Sequence, residues 1–327
     1  MTTTTAAAVM TPAQAAWFRE SFARIVDNVG RAVLGKDDVV RLVVTALLAG
    51  GHVLLEDYPG TGKTQLARAL GQSLRTSTSR IQFTPDLLPS DVTGVSIFDP
   101  RTQTFAFHRG PVFAGVVLAD EINRASPKTQ AALLEVMEEG RVTVDGVAHP
   151  VGEPFVVLAT QNPVEQAGTY RLPEAQLDRF LVKTSIGYPD HAAAVEILAG
   201  AAVRDRAAAV EPVVSGDDVA ELVRLAGTVH VEPAVLGYVA TLAEETRRAP
   251  GVALGVSVRG ALALVRAAKT WAAARGRSYV VPDDVKDLAH PVLAHRLVLD
   301  PEAEFDGATA AEALDAVLAA VPVPAER

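Results

Sequence analysis

The stretch GHVLLEDYPGTGKTQLARAL, Gly51 to Leu70, constrains this chain more than any other. Its apolar run His52-Val53-Leu54-Leu55 has the length and branching of a buried strand. The turn Asp57-Tyr58-Pro59-Gly60-Thr61-Gly62 follows, and Lys63-Thr64-Gln65 opens a segment with helical spacing through Leu66, Ala67 and Leu70. Strand, glycine-bearing loop and helix in that order predict a phosphate-binding loop. Backbone N–H groups curling around Gly60 and Gly62, with the free donors of the new helix, make a concave cage of positive partial charge. Lys63 would reach the β- and γ-phosphates there, and the Thr64 hydroxyl would hold Mg²⁺. One position departs from the full pattern G-x-x-x-x-G-K-[ST]: Asp57 stands where that pattern has glycine, and the sequence offers it only a part in shaping the turn.

A second signature supports the first. In Gly115-Val116-Val117-Leu118-Ala119-Asp120-Glu121 an apolar run leads into paired acids. A buried parallel strand would deliver Asp120 to the Mg²⁺ shell and set Glu121 one residue further, where it can orient and deprotonate a water. An Asp-Glu pair at a strand end can also be merely solvated; the preceding Lys63-Thr64 tips the balance toward chemistry. Further strands are expected at Ser79–Thr84, Phe155–Thr160 and Leu181–Ile186, with Gln161-Asn162-Pro163 after the second of these. If that strand lies beside the one ending at Asp120, Asn162 sits near the γ-phosphate, although it could equally cap a turn with Pro163.

Around these, Thr11-Pro12 reads as a helix start, with Trp17, Phe18, Ile25, Val26 and Val29 marking one or two amphipathic helices. Helices are also predicted over Asp37–Leu48 and Pro127–Glu139. Arg141–Val147, with its Asp145-Gly146 turn, is a hairpin signal. The span 86–104 is polar and proline-bearing and reads as an insertion. From Tyr188 the alternation of strand and helix stops. Helices are expected at Ala192–Leu198, Asp217–Leu225, Pro233–Arg247, Arg259–Ala274, Asp283–Ala294 and Thr309–Ala320, with 200–216 as the loosest connection. The class is α/β, with a five-stranded parallel sheet between helices and an all-α C-terminal part. The expected division is a disordered start over 1–12, a nucleotide-binding core over 13–187 and a helical lid over 188–327.

With 30 Lys plus Arg against 39 Asp plus Glu, the net charge is −9. That balance gives no basic footprint for general nucleic-acid binding. The chain has no cysteine, so disulfides, thiolate zinc sites and thiol nucleophiles are excluded. The N-terminus lacks a basic n-region and no run approaches 18 apolar residues, so a soluble, cytoplasmic protein without a transmembrane segment is expected.

Taken together, GGHVLLEDYPGTGKT, RIQFTPDLLPSDVTG, GPVFAGVVLADEINRASPKTQAALLEVMEEG, VLATQNPVEQAGTYRLPEAQLDRF and SVRGALAL resemble the MoxR family of AAA+ ATPases, in the helix-bundle clade, over about Gly30 to Pro324. The resemblance implies an ATP-hydrolysing chaperone that works with Mg²⁺. Asn162 matches the first sensor, Arg179 the arginine finger offered to a neighbouring subunit, and Arg259 the second sensor on the lid. The family has proline before that arginine, where this chain has Val258. Leu34-Gly35 and Tyr188-Pro189 match positions around the adenine, and the loop residues Pro59 to Gln65 match the phosphate cradle. The span 84–104 matches the insertion that interrupts the second helix of the core, and Arg141–Val147 matches the hairpin before the first sensor. Both are acidic or mixed in charge, which favours protein cargo. Also implied are a ring, as a rule a hexamer, a partner carrying a von Willebrand factor A domain, and protein clients. Read without the family, Arg179 could be paired with a nearby carboxylate and Arg259 could be an ordinary helix-start arginine. Three other functions compete: a nucleic-acid motor, disfavoured by the charge; a nucleotide-binding scaffold without turnover, disfavoured by Asp120-Glu121; and a monomeric GTPase-like switch, disfavoured because no Asn-Lys-x-Asp motif follows the acidic strand.

Overall fold

A computed structural model describes residues 9–162, 169–200 and 205–324. The five strands of the main sheet are β1 (Val53–Glu56), β2 (Thr78–Gln82), β3 (Val116–Asp120), β4 (Val156–Gln161) and β5 (Val182–Thr184). They run parallel in the order β2-β3-β4-β1-β5. β3 is buried along its whole length and β4 up to its last residue, as continuous apolar runs in a sheet covered on both faces should be. The order matters for function: β4 lies between β3 and β1, so the ends of the loop strand and of the acidic strand flank one central strand. In such sheets ligands gather beyond the carboxyl ends of the strands.

Segment contacts divide the chain into two compact units, residues 24–220 and residues 1–23 with 221–327. The unit holding the sheet therefore extends past Tyr188, where the sequence placed the boundary. The helix His191–Ala199 belongs to it, and so does the stretch from Asp205 to Val214. That stretch is not loose. Ala207 is fully buried, its N–H donating to Gln65 Oε1 at 3.0 Å. Arg68 pairs with Asp205 at 2.6 Å, and the Val213 N–H donates to the Ser73 carbonyl at 3.0 Å. The helix that begins at the phosphate loop, Lys63–Ser73, thus supplies the anchors, contacts that composition could not show. Residues 201–204 of the same connection lie outside the described residues.

The span read as an insertion contains a short helix, Pro89–Thr93, and an antiparallel hairpin of Gly94–Asp99 with Thr104–Arg109. Its base joins the core, since Val92 is fully buried, while Phe98 and Phe105 remain exposed. The second hairpin pairs Arg141–Val144 with Val147–Pro150. In the helical unit the helices Pro233–Thr246, Val258–Ala274, Pro282–Leu293 and Ala310–Ala320 stand within a residue or two of their expected bounds. This unit also carries a short antiparallel pair, Val252–Leu254 with Val298–Leu299. Its strongest polar anchor is Asp284, buried and paired with Arg277 and Arg275. Of the expected disordered start, residues 1–8 lie outside the described residues. Met10 is buried, and Thr11 and Gln14 cap each other's N–H groups where the first helix, Pro12–Gly30, begins. Among the described residues no helix is long and apolar enough to cross a membrane.

Candidate functional site

The loop after β1 holds Gly60 at φ 82° and Gly62 at φ 95°, both left-handed conformations that favour glycine. A Cβ built on either would meet nothing within 4 Å, so both face open space that a ligand could use. Gly62 is also the N-cap of Lys63–Ser73 and has no side chain to occupy that helix's first N–H groups. Lys63 lies back on the loop, its Nζ donating to the Tyr58 carbonyl at 2.9 Å and the Asp57 carbonyl at 3.3 Å.

Across the cavity, the ends of β2, β3 and β4 interlock. Thr160 Oγ1 donates to Asp120 Oδ1 at 2.7 Å and accepts the Glu121 N–H at 2.8 Å. Arg80 Nη2 donates to Asp120 Oδ2 at 2.6 Å. Glu121 stands at φ 57°, ψ 49°, an uncommon conformation for a residue with a Cβ, of the kind that clusters at functional sites. Its Oε2 accepts from Gln82 Nε2 at 2.8 Å and from Arg124 Nη1 at 3.1 Å.

These groups line one cavity of about 400 Å³, together with Thr64, Gln65, Gln161 and Asn162. For a divalent cation the cavity offers hard oxygens, among them the Thr64 hydroxyl and the Asp120 carboxylate that the sequence singled out. That set suits Mg²⁺, which takes few protein ligands and leaves the rest to water and phosphate. A second cavity, of about 450 Å³, shares Gly60, Thr61, Gly62 and Gln65 with the first. Its other walls include Val33, Leu34, Lys36, Gly187, Pro189, Ile197 and Leu198, an apolar slot of the kind a heterocyclic base enters.

Most of the residues singled out in the sequence therefore converge: Pro59 to Gln65, Asp120, Glu121 and Asn162 on the first cavity, Leu34 and Pro189 on the second. Others stand apart. Gly35 packs under the His191–Ala199 helix, where a Cβ would come within 3.1 Å of the Ala193 Cβ. Tyr188 is exposed and stacks on Tyr58, ring centres 6.1 Å apart. Arg179 does not line the first cavity; it pairs with Glu138 at 3.1 Å. Arg259 lies in the other unit, in the first turn of Val258–Ala274. Pro163, after Asn162, lies outside the described residues. The sequence reading missed Arg80, Gln82 and Thr160. Arg80 and Gln82 alternate on β2, and Gln82 stands opposite Asp120 in the sheet register, a pairing that only the strand order reveals.

Residues 52–182 match the ATPase family associated with various cellular activities (AAA), and residues 244–317 match the AAA lid domain. The chain is 40% identical over 310 residues to chaperone MoxR1 of Mycobacterium tuberculosis, covering 92% of this chain and 82% of that one. It is 32% identical to protein MoxR of Methylorubrum extorquens, covering 94% and 96% of the two chains. This chain belongs to the MoxR family of AAA+ ATPases. Another similar protein is the uncharacterized YeaC of Bacillus subtilis, 49% identical over 93% of this chain and 95% of its own. The crystal structure of a candidate ATPase from Cytophaga hutchinsonii superposes with a TM-score of 0.88 at 37% identity, covering 95% of this chain and 97% of that one. The MoxR-family core and lid matches fall one in each compact unit, the core within 24–220 and the lid within 221–327.

Proposed function

We propose that this MoxR-family chain binds ATP with Mg²⁺, hydrolyses it at the first cavity, and uses the cycle to remodel protein clients as part of a ring. The observation that carries the reading is convergence: a lysine, a hydroxyl, two carboxylates and an amide from three strand ends meet around one glycine-lined cradle. Lys63 and the loop N–H groups bind the β- and γ-phosphates, which requires Lys63 to leave the loop carbonyls for a more strongly charged partner. Mg²⁺, when bound by Thr64 and Asp120, neutralises charge that develops on the phosphates. Glu121 takes a proton from the attacking water, and the Thr160 hydroxyl fixes the backbone from which Glu121 projects. Asn162, in the same cavity, orients that water. The base enters the second cavity beside Leu34 and Pro189, with Gly35 and Tyr188 acting through the backbone around it.

Two arginines complete the assignment. Arg179 is proposed to serve a neighbouring subunit, supported by its place outside its own phosphate cavity and by the family resemblance. Arg259 is proposed as the second sensor. It stands in the first turn of Val258–Ala274, in the SVRGALAL stretch that carries the family resemblance, and that resemblance supports the assignment. A hexameric ring and a partner with a von Willebrand factor A domain rest on the family, and a cytoplasmic setting on the sequence features noted above. The net charge of −9 favours protein over nucleic-acid clients. The direct test is ATP binding and phosphate release by the whole chain and by Lys63→Ala. Loss of the lysine should weaken ATP binding by about 10- to 100-fold, the worth of a charge-assisted contact. Unchanged affinity would sink the reading.

A further inference from the structure

Asp57 is a loop residue that the ATPase reading leaves without a task. It stands where the phosphate-loop pattern has glycine, and it is 2% exposed. Among the described residues its carboxylate is paired with no cationic side chain. Instead Oδ1 accepts from Ser185 Oγ at 2.9 Å and from the Gly187 N–H at 2.8 Å, while Oδ2 accepts from the Ile186 N–H at 2.7 Å. Two backbone donors and a hydroxyl from the segment just past β5 thus close on one side chain. The Asp57 backbone is committed as well: its N–H donates to the Gln161 carbonyl at 3.0 Å, and its carbonyl accepts from Lys63.

The segment so held leads straight into the second cavity. Gly187 and Pro189 line it, and between them the Tyr188 carbonyl accepts from Lys36 Nζ at 2.7 Å. Gly187 has a left-handed φ of 65°, a turn that the Asp57 carboxylate holds by its N–H. Asp57 itself lines the phosphate cavity. One buried side chain therefore ties the start of the phosphate cradle to the wall of the apolar slot. A glycine at this position would offer no acceptor, and three donors would lose their partner.

We propose that Asp57 is a positioning residue that sets the distance between the phosphate cradle and the base slot, so that the affinity contributed by the nucleoside, rather than by the phosphates, depends on it. The proposal rests on the nucleotide reading of the site. It separates two quantities that a general weakening of the fold would move together. Inorganic tripolyphosphate needs only the cradle, whereas ATP needs the cradle and the slot in register.

The test is calorimetric titration of the full chain with Mg²⁺ and either ATP or tripolyphosphate, for the wild type, Asp57→Ala and Asp57→Asn. In Asp57→Ala the ATP affinity should fall at least tenfold while tripolyphosphate affinity changes less than threefold, so the preference for ATP collapses. Asp57→Asn keeps the shape and one acceptor oxygen but turns an amide toward donors; its preference should fall about threefold, and it serves if the alanine variant does not fold. An equal loss for both ligands, or an unchanged preference in both variants, overturns the proposal while leaving nucleotide binding intact. A wild type that binds neither ligand overturns the nucleotide reading and, with it, the role of Asp57.

Discussion

Two aspartates border the phosphate cradle, and they are held in opposite ways. Asp57 is closed in by two amide N–H groups and a hydroxyl, all within 2.9 Å. Asp120 has one oxygen on a buried threonine and the other on Arg80, whose side chain is 53% exposed. The Asp57 carboxylate is buried, and two of its three donors are backbone N–H groups fixed by the turn, that of Ile186 buried with it, so the first arrangement is fixed. A solvent-facing guanidinium can exchange its partner for water at little cost, so the second can open to admit a cation. The contrast separates a carboxylate locked into a turn from one proposed to work on a cation, although both are short acidic side chains next to the same loop.

The sharpest way to break this contrast is at Thr160, the fixed half of the Asp120 arrangement. Thr160→Val keeps the shape but removes the hydroxyl that anchors Asp120 and the Glu121 N–H. Phosphate release at saturating ATP should drop by roughly 100-fold, the lower range for a misplaced general base; an unchanged rate would mean that the anchor is dispensable. Next in size is stability. Asp57→Ala leaves buried donors without acceptors and should cost about 3 kcal/mol in denaturant unfolding. Asp120→Ala, which strips the acceptor from one buried hydroxyl while Arg80 can turn to solvent, should cost less, about 1 kcal/mol. Equal losses would erase the distinction. The smallest effect concerns Arg80. If it competes with Mg²⁺ for Asp120, Arg80→Ala should lower the half-saturating Mg²⁺ concentration for ATP binding by up to about fivefold, the worth of one exposed ion pair. A rise instead would show that Arg80 contacts the phosphates itself.

What the sequence disclosed, and what it hid, follows the same line. The strand, the loop glycines, Lys63 and Asp120-Glu121 were legible because each lies within a short run whose spacing encodes its shape. The contacts of Asp57 were not, because its partners lie 128 to 130 residues further along the chain. Arg80 and Gln82 stayed hidden until the strand order set β2 beside β3. The hairpin from Gly94 to Arg109 escaped for another reason: it is largely exposed, with Ile97 and Phe98 both about half so and Phe107 packed on the core, and its short apolar runs sit in a polar, proline-bearing span. The Asp205–Val214 stretch looked loose because its anchors lie on helices far away in sequence.

One cavity is proposed to hold ATP through the loop and to turn it over through Glu121. The most direct measurement takes one preparation of Glu121→Gln, which keeps the side chain's size and removes its basicity, and determines both ATP affinity and phosphate release. The account predicts ATP affinity within about threefold of the wild type and hydrolysis reduced by at least about 100-fold, as expected for removal of a general base. Affinity and turnover falling together, or hydrolysis continuing at the wild-type rate, would contradict it.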